Sequence, residues 1–319
     1  MTIDAVITWV DGDDPRHRAK RLQHGGHELR ENEDIAGSTR FSNLGEIYYC
    51  IASLNRFAPW LHKIYIVTDE QDPHVDAFLD EHFPDGHIPV EVIDHKVIFR
   101  GYEQYLPTFN SIAIETMTWR IPGLSEHFIE FNDDLLLASP VSPEDFFLPN
   151  GSSVCYATRG SMLWTKLTRL LKPQKNGQKR VTFKGSMYNA AVIAGRHFSF
   201  LKLAHTPKAL RKSSYEQHFS AHPNHMLKNI GHRFRHAEQF TSQELQYLLL
   251  ESESKLQIRP VDENLFFLQP KGRNGYVGQK MDRLRQMKCC KFCCFNSLDK
   301  ATIEEREQIT AWISERIGL

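Results

Sequence analysis

Short apolar runs alternate with amphipathic stretches through the first half of the chain. Ile3 to Val10 is nearly all apolar and ends on Asp11-Gly12-Asp13-Asp14-Pro15, which predicts a buried strand closed by a tight turn. The polar stretch from Pro15 to Thr39, with Gly25-Gly26, reads as a helical stub and a mobile loop. Leu44, Ile47, Tyr48, Ile51 and Leu54 recur at helical spacing and predict a core-facing helix over 43–57. Lys63 to Asp69 predicts a second strand, Val75 to Phe83 a helix, and Val90 to Asp94 a third strand. A helix over 110–120, capped by Asn110 or Ser111, leads into the apolar run Phe128 to Phe131. That run predicts a strand, and it stops abruptly on Asn132-Asp133-Asp134. Alternation of this kind predicts an α/β fold with a mostly parallel, doubly wound sheet.

After Pro143 the pattern changes, dividing the chain near residue 150. Tyr188 to Val192 is a short apolar element, and Ala204-His205-Thr206-Pro207 predicts extended, turn-like backbone ahead of the proline. Gly231 to Glu238 leads into a helix marked by Leu245, Leu248 and Leu249. A closing helix carries Ile309, Trp312, Ile313 and Ile317 on one face, a packing stripe, with acids in its first turn.

At 319 residues the chain is long enough for a sizeable core. Lys plus Arg and Asp plus Glu are equal at 39 each, a balance that argues against a dedicated nucleic-acid binder. The start lacks a basic segment followed by an apolar one, and no apolar run reaches roughly the 18 residues of a membrane span. A cytoplasmic protein, at most peripheral to the inner membrane, is the expectation. Cys50 and Cys155 read as buried thiols. The Cys289, Cys290, Cys293 and Cys294 cluster lacks the second ligand pair of a zinc site and reads as a reduced segment.

The strand-end acids carry the candidate chemistry. Ligands of open α/β sheets bind at the carboxyl ends of the strands, where Asp11, Asp13, Asp69 and Asp133 are expected to gather. Adjacent carboxylates can hold a hard divalent cation and leave its other positions to water and phosphate. Asn132 and Asp133 can equally well turn the chain and cap the next segment; the stretch alone leaves both open. Neither a glycine-rich dinucleotide motif nor a P-loop is present. Two basic stretches, 159–184 and 271–291, read either as solvated faces or as surfaces for an anionic substrate or membrane.

Several stretches taken together resemble one family. Ile3 to Gly12 is similar to the first conserved region of the Stealth family of hexose-1-phosphate transferases. Arg40-Phe41, Glu46, Ser53, Ala58-Pro59-Trp60, Ile64 to Asp69 and Phe131 to Asp134 resemble the second. Tyr188-Asn189-Ala190 with His205-Thr206-Pro207 resembles the third, and Arg235-His236 with Lys291 to Asn296 the last. Family members often carry an acid directly after that final asparagine, whereas Asn296 is followed by Ser297 and the next acid is Asp299.

The resemblance implies a GT-A-like nucleotide-sugar-binding core over 1–150. Residues 151–319 would complete the same catalytic domain with a helical, basic insertion and C-terminal helices. It further implies a UDP-sugar donor, commonly UDP-N-acetylglucosamine, and a divalent cation, Mg2+ or Mn2+. The acceptor would be a capsule or cell-surface oligosaccharide or polysaccharide, with partner glycosyltransferases at the inner membrane. In that reading Asp133 and Asp134 hold the metal, Asn132 orients, and Asp11 and Gly12 lie near the nucleotide. His205 is the general base, Arg235 clamps phosphate, and Asn189 and Asn296 bind substrate. The basic stretches are expected to flank the acceptor. Two other readings stay open: a glycosyltransferase that releases UDP, and a non-catalytic polysaccharide-binding protein.

Overall fold

The computed structural model describes residues 1–25, 45–171, 181–261 and 264–319. The expectations placed on Gly26 to Leu44, including Arg40 and Phe41, and on Lys172, Lys175, Lys179 and Arg180 lie outside the described residues.

The first half runs β1 (Ile3–Thr8), α1 (Pro15–Gly25), α2 (Glu46–Phe57), β2 (Lys63–Thr68), α3 (Val75–His82) and β3 (Val90–Asp94). Next come α4 (His95–Ile98), α5 (Ser111–Glu115), β4 (His127–Asn132) and β5 (Leu135–Leu137). The second half continues with β6 (Ser153–Ser161), α6 (Met162–Leu171), α7 (Phe183–Ile193), β7 (Ser199–Leu203) and β8 (Lys208–Arg211). It closes with α8 (Lys212–Ala221), α9 (Pro223–Ile230), α10 (Ser242–Ser252), β9 (Leu256–Arg259) and β10 (Leu265–Leu268), then α11 (Tyr276–Gln286), β11 (Phe292–Phe295) and α12 (Ile303–Ile317).

The main sheet has the order β3-β2-β1-β4-β8. β1, β2, β3 and β4 are mutually parallel, and β8 joins antiparallel with Glu130 opposite Lys208. This is the mostly parallel α/β sheet that the alternation predicts. β1 is buried on both faces, which is why its sequence is a continuous apolar run. Its alternate residues enter different cores: Ala5 and Ile7 face the layer containing α2, while Val6 joins Tyr65, Phe128 and Leu210 on the other side. Two small sheets complete the fold, β10-β11-β5 and β7-β6-β9. The first strand of the chain and the strands up to residue 132 therefore share a sheet with β8 from beyond residue 200.

Boundaries differ from the expectations where side chains compete with the backbone. The predicted 110–120 helix is two pieces, α5 and a 3-10 turn over Thr118–Arg120. The Thr118 hydroxyl donates to the Glu115 carbonyl and the Thr116 hydroxyl to that of Ile112, the local bonding by which threonine weakens a helix. Asn110 is the cap, accepting from the Ile112 N–H at 3.2 Å. β1 stops at Thr8, not Val10, because the chain turns to meet Gln71: the Asp11 N–H donates to Gln71 Oε1 at 2.9 Å and Gln71 Nε2 donates back to the Asp11 carbonyl at 2.8 Å. Cys50 and Cys155 are buried, as read from the sequence. Among the described residues no helix is long and apolar enough to cross a membrane.

Candidate active site

The carboxyl ends of β1, β2 and β4 lie side by side, since Thr8 is in register with both Val67 and Asn132. The turn after β1 is preset. Asp11 Oδ1 accepts the Asp13 N–H at 3.0 Å, and buried Gly12 lies between them. Asp69, at the end of β2, takes Lys20 Nζ at 3.4 Å, and Glu70 takes the same ammonium at 2.5 Å as well as Lys96. Those hydrogen bonds, Lys20 first, hold the Glu70 carboxyl down at about 2. The β2 acids are thus already matched by lysines.

Among the described residues no lysine pairs with the acids after β4. Asp133 and Asp134 form the turn between β4 and β5 and line a cavity of about 180 Å³ with Glu46 and Tyr49 of α2 and Arg306 of α12. Burial, then Asp134, then Glu46 push the Asp133 carboxyl well above the ordinary range. Asp134 Oδ2 accepts from Asn296 Nδ2 at 2.8 Å, and the Cys294 thiol approaches the same oxygen at 3.7 Å. Its other oxygen, Oδ1, is buried with no hydrogen-bond partner among the described residues. A buried, unpaired carboxylate oxygen beside a second carboxylate is poorly stable without a cation, so Asp133 and Asp134 fit a hard divalent ion with its remaining ligands from water or phosphate. Asn132 is exposed at the strand end.

Asn296 reaches Asp134 because β11 pairs antiparallel with β5. Its carboxamide oxygen accepts from Gln269 and Ser297, at 3.0 and 2.8 Å. Ser297, in the place where an acid is common in the family, therefore braces the asparagine. Half of the cysteine cluster lies in this strand: Cys293 and Cys294 are fully buried in β11, Cys290 Sγ lies 3.6 Å from Cys293 Sγ just before it, and Cys289 is exposed.

On the neighbouring strand β10, Phe267 stacks on His205 with ring centroids 4.7 Å apart, and Phe183 of α7 lies nearly parallel to the same imidazole at 5.9 Å. Burial lowers the His205 pKa, nearby Lys208 lowers it further, and Asp134 opposes them. The imidazole is therefore neutral, a proton acceptor, at neutral pH. Lys208 Nζ donates to the carbonyls of Ala204 and Thr206, both at 2.5 Å, stapling the backbone on either side of His205. Burial brings the Lys208 ammonium down to about 8.

Arg235 lies across a buried polar network from Lys208. It donates to Ser111 Oγ at 2.6 Å, and burial lowers its pKa while Glu115 opposes. Gln243 Nε2 bridges Glu115, at 2.9 Å, and Glu130, while Thr118 Oγ1 lies 3.2 Å from the other Glu130 oxygen. Burial first, and then Glu115, push the Glu130 carboxyl upward. Two cations and two carboxyls thus share one interior region, where interactions between charges are strong.

The Asn189 amide donates to the carbonyls of Ala237 and Gln239, at 2.9 and 2.7 Å. Asn110 holds the same loop through the carbonyls of His232 and Phe234. The loop that carries Arg235 is pinned from both sides. Among the described residues, His232, His236 and Glu238 of that loop are also a group whose ligand atoms lie within 4.8 Å of one another.

Lys208, Glu115, Glu130, Gln243 and Gln71 were not singled out by the sequence reading. One signal was there: Glu130 is a lone acid inside the apolar run Phe128 to Phe131, and an acid on a buried strand needs partners. Of the basic stretch 271–291, Lys291 pairs with Asp145 at 2.6 Å and Arg285 with Asp282 at 2.8 Å, and Lys280 lies over the Phe266 ring.

Comparison with known proteins agrees with the reading of the first two motif regions. Stealth protein CR1, conserved region 1, matches residues 1–26, and Stealth protein CR2, conserved region 2, matches residues 40–155. The chain is 35% identical over 235 residues to the exopolysaccharide phosphotransferase SCO6021 of Streptomyces coelicolor, covering 73% of this chain and 40% of that protein. It is 34% identical to the capsular polysaccharide phosphotransferase LcbA of Aeromonas hydrophila, covering 73% and 61%, and 34% identical to LcbA of Neisseria meningitidis, covering 73% and 60%. The matches thus span about 40 to 60% of the length of these curated relatives. Among solved structures the chain is similar to the galactosyltransferase LgtC, with a TM-score of 0.46 and 9% identity over 99% of this chain and 95% of that one. With both conserved regions in order and relatives at about a third identity over nearly three quarters of its length, the chain belongs to the Stealth family.

Proposed function

We propose that this chain transfers a hexose-1-phosphate, N-acetylglucosamine-1-phosphate in the simplest case, from a UDP-sugar to a hydroxyl of a capsular or extracellular polysaccharide. A phosphodiester forms and UMP leaves. The observation that carries the reading is the convergence of His205, Asp134 and Asn296 on adjoining strands and turns. His205 stacks on Phe267 of β10 and feels the charge of Asp134, whose Oδ2 Asn296 holds from the end of the neighbouring strand β11. The relatives named as polysaccharide phosphotransferases support the reaction class.

In this reading the acceptor oxygen attacks the β-phosphorus and the phosphorus–oxygen bond to UMP breaks in line. The anomeric carbon is untouched, so the sugar keeps its configuration. His205 takes the hydroxyl proton as the new bond forms. Arg235 offers a planar pair of donors to phosphate oxygens as charge builds, held by Ser111 and Glu115. Asp133 and Asp134 would hold Mg2+ or Mn2+, which when bound supplies positive charge for the diphosphate. Asn296 fixes the rotamer of Asp134, leaving Oδ1 for that duty. Asp11 and Gly12, in the preset turn after β1, would flank the nucleotide. Asn189 would act by holding the Arg235 loop.

The test is phosphorus NMR of a capsule-type oligosaccharide treated with the protein, magnesium and UDP-N-acetylglucosamine. A new phosphodiester resonance on the acceptor is expected. A glycosylated acceptor without phosphorus would establish the glycosyltransferase reading instead.

A further inference from the structure

Helix α6 is amphipathic in the wrong sense for a helix that serves only to pack. It buries Met162 and Thr165, 5% and 3% exposed, and turns its larger apolar side chains outward. Leu163, Trp164, Leu167 and Leu170 are 77, 64, 44 and 75% exposed. Positions 163, 167 and 170 follow helical spacing, and 164 lies beside them, so the four make one stripe. Phe198, 89% exposed, adjoins its start: the Met162 N–H donates to the Phe198 carbonyl at 2.9 Å, and Ser161 is in register with Ser199. Most large apolar side chains exposed among the described residues fall between 163 and 198, including Phe183 and Val192. An exposed apolar patch such as the α6 stripe with Phe198 marks an interaction surface.

The charge around the patch identifies the partner. In the described parts of the basic stretch, 159–171 and 181–184, there are four Lys and Arg and no Asp or Glu. Lys166 lies on the exposed side of α6 itself, and Lys184, His197 and Lys202 are exposed nearby in sequence. In a two-fold pairing with a second copy these cations would face themselves across the interface. A polyanionic glycan would use the cations but leave four leucine and tryptophan side chains in water. Leucine and tryptophan on one face with lysines at its border fit a bilayer interface, where apolar groups enter the acyl boundary and cations meet anionic headgroups.

We propose that α6 and Phe198 form a docking face that seats the protein on an anionic phospholipid surface. Phe183 of α7, itself exposed, stacks on His205. The proposal does not depend on the transfer reading.

The test is co-sedimentation of the full chain with vesicles of equal parts phosphatidylglycerol and phosphatidylcholine, compared with phosphatidylcholine alone. The protein is expected to sediment with the anionic vesicles and to be released by salt. The Trp164→Ser/Leu167→Ser/Leu170→Ser variant, altered only at exposed positions, is expected to keep its circular dichroism spectrum and to partition at least about tenfold more weakly. Lys166→Glu with Lys184→Glu is expected to weaken binding chiefly at low salt. Equal binding to phosphatidylcholine, no binding to either vesicle, or unchanged binding of the triple variant would overturn the proposal. So would self-association of the wild type, seen by light scattering and lost in the triple variant.

Discussion

Asn296 Nδ2 donates to Asp134 Oδ2 at 2.8 Å, across 162 positions of sequence. One oxygen of Asp134 is thereby occupied, and the other is buried with no partner among the described residues. The pairing turns an acidic turn into a candidate cation ligand, because a fixed carboxylate presents one defined lone-pair direction. Asn296→Ala is expected to lower turnover by about 10- to 100-fold, the usual effect of losing a group that orients a ligand. It should also raise the magnesium concentration needed for half-maximal rate. Asp134→Asn should cost more. A metal titration of both variants in the transfer assay checks the order.

His205 has its pKa lowered by burial and by Lys208. Its proton-accepting form therefore persists below the ordinary histidine value of 6.5, and activity should fall only when pH drops through that lowered value. His205→Ala is expected to lose about 10²- to 10⁴-fold in rate and to abolish this acid limb. A pH–rate profile of wild type against variant measures both.

Lys208 titrates near 8, and its charged form holds the Ala204 and Thr206 carbonyls more strongly than the neutral amine would. An alkaline limb is expected as pH rises through about 8. In Lys208→Met the limb should vanish and the rate fall by about tenfold or more, with the effect in kcat rather than KM. Lys208→Arg should restore part of the rate. The groups facing this ammonium include Glu130 and Glu115 from the network and Cys155 and Cys294 from adjoining strands.

The buried Glu130 carboxyl has its pKa raised. The native state then holds a proton that the unfolded chain releases above the ordinary value of 4.5. That contribution to stability is full below 4.5 and is lost as pH rises toward the raised value. Glu130→Gln keeps a hydrogen-bonding side chain and removes the titration, so its stability should fall less over that window than the wild type's. Urea unfolding at a series of pH values compares the slopes.

The main sheet was legible in the sequence because its strands are local apolar runs that end on polar turns. Val90–Asp94 is predicted to the residue, and Lys63–Asp69 overruns by one. The polar network was not legible. Lys208 meets Glu130 only through the antiparallel addition of β8 to β4, and periodicity along a chain carries no signal for a pairing between strands 78 positions apart. β11 hid for another reason: its Phe-Cys-Cys-Phe sequence draws attention to thiol chemistry, whereas the cysteines fill a buried strand. The resemblance supplied His205, Arg235 and Asn296 as candidates, and the structure shows what each one touches.

The most direct test of the account is the nucleotide released when the protein, magnesium, UDP-N-acetylglucosamine and a capsule-type acceptor are combined and separated by ion-exchange chromatography. UMP is expected, formed only with acceptor present and in step with phosphodiester. Release of UDP in step with glycosylated acceptor would contradict it, because the bond broken would then be at the sugar carbon and not at phosphorus.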